Sequence, residues 1–170
     1  KASEIFMNLN KQNEAIYHSL SINNYEQIAS IIISSNGKLL NIGSRKILSK
    51  ALDELPEKMY IKYPSLFIYQ GDIYRLTSQF NKSLISYKKA EKLFRKNNNK
   101  IKLSENLRKL AMLYLDTVQP VKAGPYLKES LKISNNKNNK IDNLPILKLL
   151  AENEINKGNL IEAKKIKEEI

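Results

Sequence analysis

Apolar residues along this chain recur three and four positions apart, the spacing of one helix face, and not two apart as in a half-buried strand. Ile28, Ile31, Ile32 and Leu39 follow Asn24, a residue suited to capping a helix, and the run is expected to end near Gly43. Ser44 can cap the next helix, which reaches Leu55-Pro56. Pro64 suits the first position of a helix through Thr77, and Asn81 can cap another ending at Asn97. Further helices are expected near 101–115, 120–133, 143–156 and 160–169, nine or ten in all. Two-residue hairpin signals and alternating β-branched runs are absent, so no sheet is expected.

The pattern also repeats. Gly71, Ala111 and Ala151 stand 40 residues apart, and each is followed twelve positions later by a second small residue, Ser83, Ala123 or Ala163. Phe67, Leu107 and Leu147 precede the first small residue by four, and Tyr74 and Tyr114 follow it by three. A small residue on each helix of an antiparallel pair lets two backbones approach, while larger neighbours at i−4 and i+3 fill the ridges around that contact. One such hairpin cannot bury its own apolar face and stacks on the next. The expectation is one all-α domain over residues 1–170, an α-solenoid of stacked antiparallel hairpins. The chain opens on Lys1 and stops at Ile170 inside helical patterns, as expected for a piece of a longer protein. Gly124-Pro125 conflicts with the register: either that helix is kinked, or it begins at Pro125 with Gly124 as its cap.

Composition narrows the chemistry. The 170 residues include no Cys, no Trp and one His, which excludes disulfide scaffolds, thiolate nucleophiles, Cys-based metal sites and paired-His sites. The glycines at 37, 43, 71, 124 and 158 are too scattered for a phosphate loop. No run nears the roughly 18 apolar residues that span a bilayer, and a cytoplasmic location is expected. The formal net charge is +12 and sits centrally: +1 over residues 1–60, +7 over 61–100, +5 over 101–140 and −1 over 141–170. Such a centre fits an anionic partner. The chain is also rich in Asn, Ile and Lys, the usage of an AT-rich genome, which explains a merely solvated basic face equally well. A non-enzyme with no metal and no cofactor is expected.

Pro64–Arg95 resembles a tetratricopeptide (TPR) repeat through Phe67, Gly71, Tyr74, Ser83, Tyr87 and Ala90, with later copies longer and more degenerate. A narrower resemblance covers about residues 10–135: Asn13–Leu20, Tyr25–Ala29, Gly43, Ala51–Pro56 and Tyr63–Gly71. Here the chain is similar to the helical-repeat region of MalT/LuxR-type bacterial transcriptional activators, Leu55-Pro-Glu57 and Pro64-Ser-Leu66 being the most specific part. The resemblance implies a TPR-like superhelix that relays an inducer signal between a nucleotide-binding domain and a helix-turn-helix DNA-binding domain. Neither flanking module is evident in these residues, so direct DNA binding by this segment is not expected.

In such arrays the first helix of each hairpin lines the concave surface. The repeat register turns Ser65, Tyr69, Asp72 and Arg75 that way, then Arg108, Lys109, Met112 and Asp116, then Lys148, Glu152 and Ile155. Arg75, Arg108 and Lys109 with Tyr69 suit an acidic peptide, a carboxylate or a phosphorylated sugar; ordinary solvated polar positions are the competing reading. The lysine–asparagine clamp of chaperone-binding TPR domains is absent, since Ile68 and Asp72 occupy those places. A second candidate is the i, i+4 row Lys88, Lys92 and Lys96, whose mutual repulsion an anionic partner would relieve. His18 reads as a surface or hairpin residue, and Asp53, Glu54 and Glu57 as a turn. The expected partner is a protein or peptide, or a small inducer, bound by a signal-sensing segment of a transcriptional regulator. The alternatives are a stand-alone TPR adaptor and a basic nucleic-acid-binding array.

Overall fold

A computed structural model describes residues 11–135 and 142–170, and these described residues are all-α: ten α-helices and one 3₁₀ turn, with no strand among them. The helices fall into two compact units that divide between Ser78 and Gln79.

The first unit holds α1 (Gln12–Ser21), α2 (Tyr25–Ser34), the 3₁₀ turn Lys38–Leu40, α3 (Arg45–Glu54), α4 (Glu57–Lys62) and α5 (Ser65–Leu76). Asn24 caps α2 as the sequence implied, its side chain accepting from the Gln27 N–H at 3.2 Å. The helix stops at Ser34, well short of Gly43. Asn36 and Gly37 take positive φ values of 47° and 84°, a left-handed pair that ends a right-handed helix. The short α4, between Pro56 and Pro64, has no counterpart in the periodicity reading because six residues hold too few repeats to show one. Ile16, Ile28, Ile31, Ile32, Leu48 and Leu66 are fully buried where α1 packs on α2 and α3, and α5 packs on α2 and α3. Tyr60 and Phe67 pack at 4.7 Å between ring centroids, and the Tyr60 hydroxyl donates to the Leu52 carbonyl at 2.6 Å.

The second unit holds α6 (Phe80–Lys96), α7 (Lys100–Asp116), α8 (Pro120–Ser134), α9 (Leu144–Asn156) and α10 (Leu160–Glu168). α6 packs on α7, α7 on α8, α8 on α9 and α9 on α10, while α7 also meets α9. Ala111, Leu115, Ala123, Leu127, Ile146 and Leu150 form a buried cluster, ringed by Tyr114, Tyr126, Leu131, Leu147, Leu149 and Ile166.

The links explain the repeat. Asn98, Val118 and Gly158 all have positive φ, at 51°, 55° and 83°. In each link the amide of that residue donates to a carbonyl three back, and the next amide to one five back. The second bond runs from Asn99 to Phe94 at 3.0 Å, from Gln119 to Tyr114 at 2.8 Å and from Asn159 to Glu154 at 2.8 Å. This is the Schellman helix stop. A helix of 17 residues, the length of α6 and of α7, plus three linking residues makes 20, and two of these make the 40 residues from Gly71 to Ala111; α8 and α9, with 15 and 13 residues, reach the same offset to Ala151 through a longer connection.

The small residues that carry the offset are buried: Ser83, Ala111 and Ala123 at 0%, Ala151 at 2% and Ala163 at 3% exposure, with Gly71 buried in α5. α8 runs unbroken from Pro120 through Gly124-Pro125, so the helix neither starts nor caps there. Gly124 is buried against α9, where an added Cβ would come within 3.5 Å of both Asn153 Nδ2 and Lys157 Nζ. Pro125 and Val121, the residue whose carbonyl the missing N–H would have reached, are both exposed, so water can take that acceptor.

Candidate functional site

The expected groove residues divide between the units. In the first, Tyr69 is half-buried on α5 and its hydroxyl donates to the Ile33 carbonyl of α2 at 3.3 Å. Asp72 is 2% exposed and faces the interior, while Arg75 is half-buried one turn on. An open cleft of about 620 Å³ lies elsewhere in this unit, between α3 and the last turn of α5. Arg45, Ser49 and Asp53, with Ile42, Ile73 and Thr77, contribute to its wall. Sequence reasoning passed over this cleft, although the signal was present: 45, 49 and 53 form an i, i+4 polar stripe opposite the buried Ile47, Leu48, Ala51 and Leu52.

In the second unit, Ile101, Glu105 and Arg108 line one face of α7 and meet Asp142, Pro145 and Ile146 at the start of α9 across a cleft of about 280 Å³. Met112 continues that face one turn on. Arg108 is half-buried, and among the described residues its hydrogen-bond partner is the Met112 thioether, Nη1 to Sδ at 3.8 Å. Thioether sulfur is a weak acceptor, so most of a five-donor guanidinium is left for something else. Both neighbouring carboxylates are engaged: Glu105 with Lys102 at 2.8 Å, and Asp142 with the Leu144 amide at 3.0 Å. Lys109 is half-buried beside Arg108. Lys148 is exposed and lines a separate groove of about 380 Å³ with Ala151, Glu152, Ile155, Lys167 and Ile170. The structure therefore brings Arg108 and Met112 together and sets Lys148 in a neighbouring groove.

The lysine row of α6 divides as well. Lys88 is engaged, its ammonium 2.8 Å from both Glu91 Oε2 and the Tyr126 hydroxyl. Burial pulls its pKa down, but those two partners more than offset it, and the net direction is upward. Lys92 and Lys96 are exposed. Arg95 forks onto Glu129 of α8, at 2.7 and 2.9 Å, while also bonding Glu91 at 2.8 Å. Arg95 holds the Glu129 carboxyl below its ordinary range, with Lys100 and Lys88 adding to the effect. Tyr126 stacks on Tyr114 at 5.6 Å.

Among the described residues no group of three or more His, Cys, Asp or Glu is placed to hold a metal ion. No helix among them is long and apolar enough to cross a membrane. No protein-family model matches the chain, and no curated protein matches it significantly.

Proposed function

We propose that this chain is a non-enzymatic protein-interaction segment, a TPR-like superhelix whose cleft between α7 and α9 takes an acidic side chain of a partner polypeptide. The single observation behind this reading is Arg108: a half-buried guanidinium with a thioether for its partner, in a cleft whose own carboxylates are engaged. A carboxylate would satisfy it bidentately. Ile101, Pro145 and Ile146 would cover apolar neighbours of that acid. The equal lengths of α6 and α7, the repeated Schellman links and the buried small residues support the solenoid part of the proposal. By the resemblance to MalT/LuxR-type activators, the segment would report occupancy of this cleft to other domains of a cytoplasmic transcriptional regulator.

Selection of a random peptide library on the immobilised chain tests it. Enriched peptides should pair Asp or Glu with an aliphatic residue. They should lose at least tenfold in affinity against Arg108→Met and keep part of it against Arg108→Lys. Absence of enrichment, or binding indifferent to Arg108→Met, would overturn the reading.

A further inference from the structure

We infer that the outer surface shared by α6 and α8 seats the phosphate backbone of a nucleic-acid duplex, without reading its sequence. Taken alone, the α6 row is three like charges on one helix. The tertiary structure changes that count. Arg95 and Lys88 of α6 reach Glu129 and Tyr126 of α8, so long side chains bridge the two helices on this surface. The seam is itself neutral, because Lys88 and Arg95 balance Glu91 and Glu129.

The remaining lysines stand around this neutral seam. Lys92 sits between Lys88 and Arg95 on one helical stripe, and Lys96 extends it by a turn. Lys128 flanks Glu129, and Lys132 lies one turn beyond. All four are exposed, and no carboxylate among the described residues pairs with any of them. Lys100 adds a fifth charge close enough to act on Glu129. Residues 80–134 carry 13 basic side chains against 4 acidic ones. Along each helix lysines four positions apart rise by about 6 Å, so the bridged pair presents spaced point charges on an open surface.

The chemistry favours a duplex over other polyanions. An acidic polypeptide is held best by forked arginine contacts, and the one arginine of this face has its fork committed to Glu129. Single strands need exposed rings to stack on, whereas Tyr126 is half-buried against Tyr114 and under Lys88. Hydrated lysine ammoniums without base-reading side chains suit regularly spaced phosphates, which fix position and carry no sequence information.

Fluorescence anisotropy of the whole chain with a short DNA duplex of arbitrary sequence tests this. Log Kobs should fall against log salt with a slope of about −4, since each phosphate contact on B-DNA contributes about −0.9. That slope means about a few hundredfold loss between 50 and 200 mM salt. The fourfold variant K92Q/K96Q/K128Q/K132Q should flatten the slope by about 3.6, again at about 0.9 per lysine. The matching four-arginine variant should retain it, and circular dichroism checks that both variants fold. Arg108→Met should leave duplex binding unchanged, so failure here and failure of the peptide reading are distinguishable. No duplex binding at low salt, a slope unmoved by the fourfold variant, or retention on polyglutamate or phosphatidylserine vesicles in place of duplex would each overturn the inference.

Discussion

Ser104 on α7 and Ser130 on α8 bind each other reciprocally. The Ser104 hydroxyl lies 3.1 Å from the Ser130 carbonyl, the Ser130 hydroxyl 2.9 Å from the Ser104 carbonyl, and the two oxygens 2.8 Å apart. Both side chains are buried, so water cannot replace a lost partner. Their smallness also lets the two backbones approach at this level.

Ser104→Ala or Ser130→Ala should therefore each destabilise the fold by about 1 kcal/mol, because each removes one buried hydroxyl-to-carbonyl bond between the two helices. The double substitution should cost about the sum of the two, since each surviving hydroxyl keeps the backbone carbonyl it donates to. Denaturant midpoints of the four chains measure this; a single substitution without cost would contradict the reciprocal bonds.

The helix links make a prediction of opposite sign at equivalent positions. Val118 holds a φ of 55° and is 83% exposed, so a β-branched side chain bears left-handed strain with little packing in return. Val118→Gly should stabilise the protein by about 1 kcal/mol. Gly158, with φ 83° and open space where a Cβ would go, should lose about 1 kcal/mol on substitution by Ala, from backbone strain alone. Thermal unfolding of the two variants should move in opposite directions.

Glu154 gives a pH dependence. It is 7% exposed and accepts from Asn159 Nδ2 at 2.7 Å, Lys157 Nζ at 2.8 Å and Asn153 Nδ2 at 3.3 Å. Asn159 and then Lys157 hold its carboxyl below the ordinary value of 4.5, against the opposing effect of burial. A depressed folded-state pKa contributes stability that is present above 4.5 and is lost as pH falls through the lowered value. The stability gap between the parent chain and Glu154→Gln should accordingly be widest near neutrality and shrink in acid. Unfolding titrations at neutral pH and below the carboxylate range check this; a gap independent of pH would contradict it.

Much of the fold was legible because its causes are local. Helical periodicity, Asn24 as a cap and the 40-residue offset of small residues all lie within a turn or two of chain or a direct repeat of it. What was misread was equally local but carried no periodic signal. Asn36-Gly37 ends α2 through two left-handed residues, and α4 is too short to show a period. At Gly124-Pro125 the sequence left two courses open, and α8 runs through because an exposed carbonyl tolerates the missing donor.

The sites were less legible. Lys88, Lys92 and Lys96 look identical along one helix, yet Lys88 is tied to Tyr126, 38 positions away, while the other two are exposed. Asp72 and Met112 occupy equivalent register positions on α5 and α7, but the first is buried and the second is half-buried against Arg108. By itself the sequence determined the longer helices and which small side chains are buried within them, because periodicity and backbone hydrogen bonds are set by near neighbours. Only the tertiary structure decided which charges are satisfied and which stay exposed. That depends on side chains from helices 20 to 40 residues apart meeting on one face, and no local pattern encodes which carboxylate or hydroxyl arrives there.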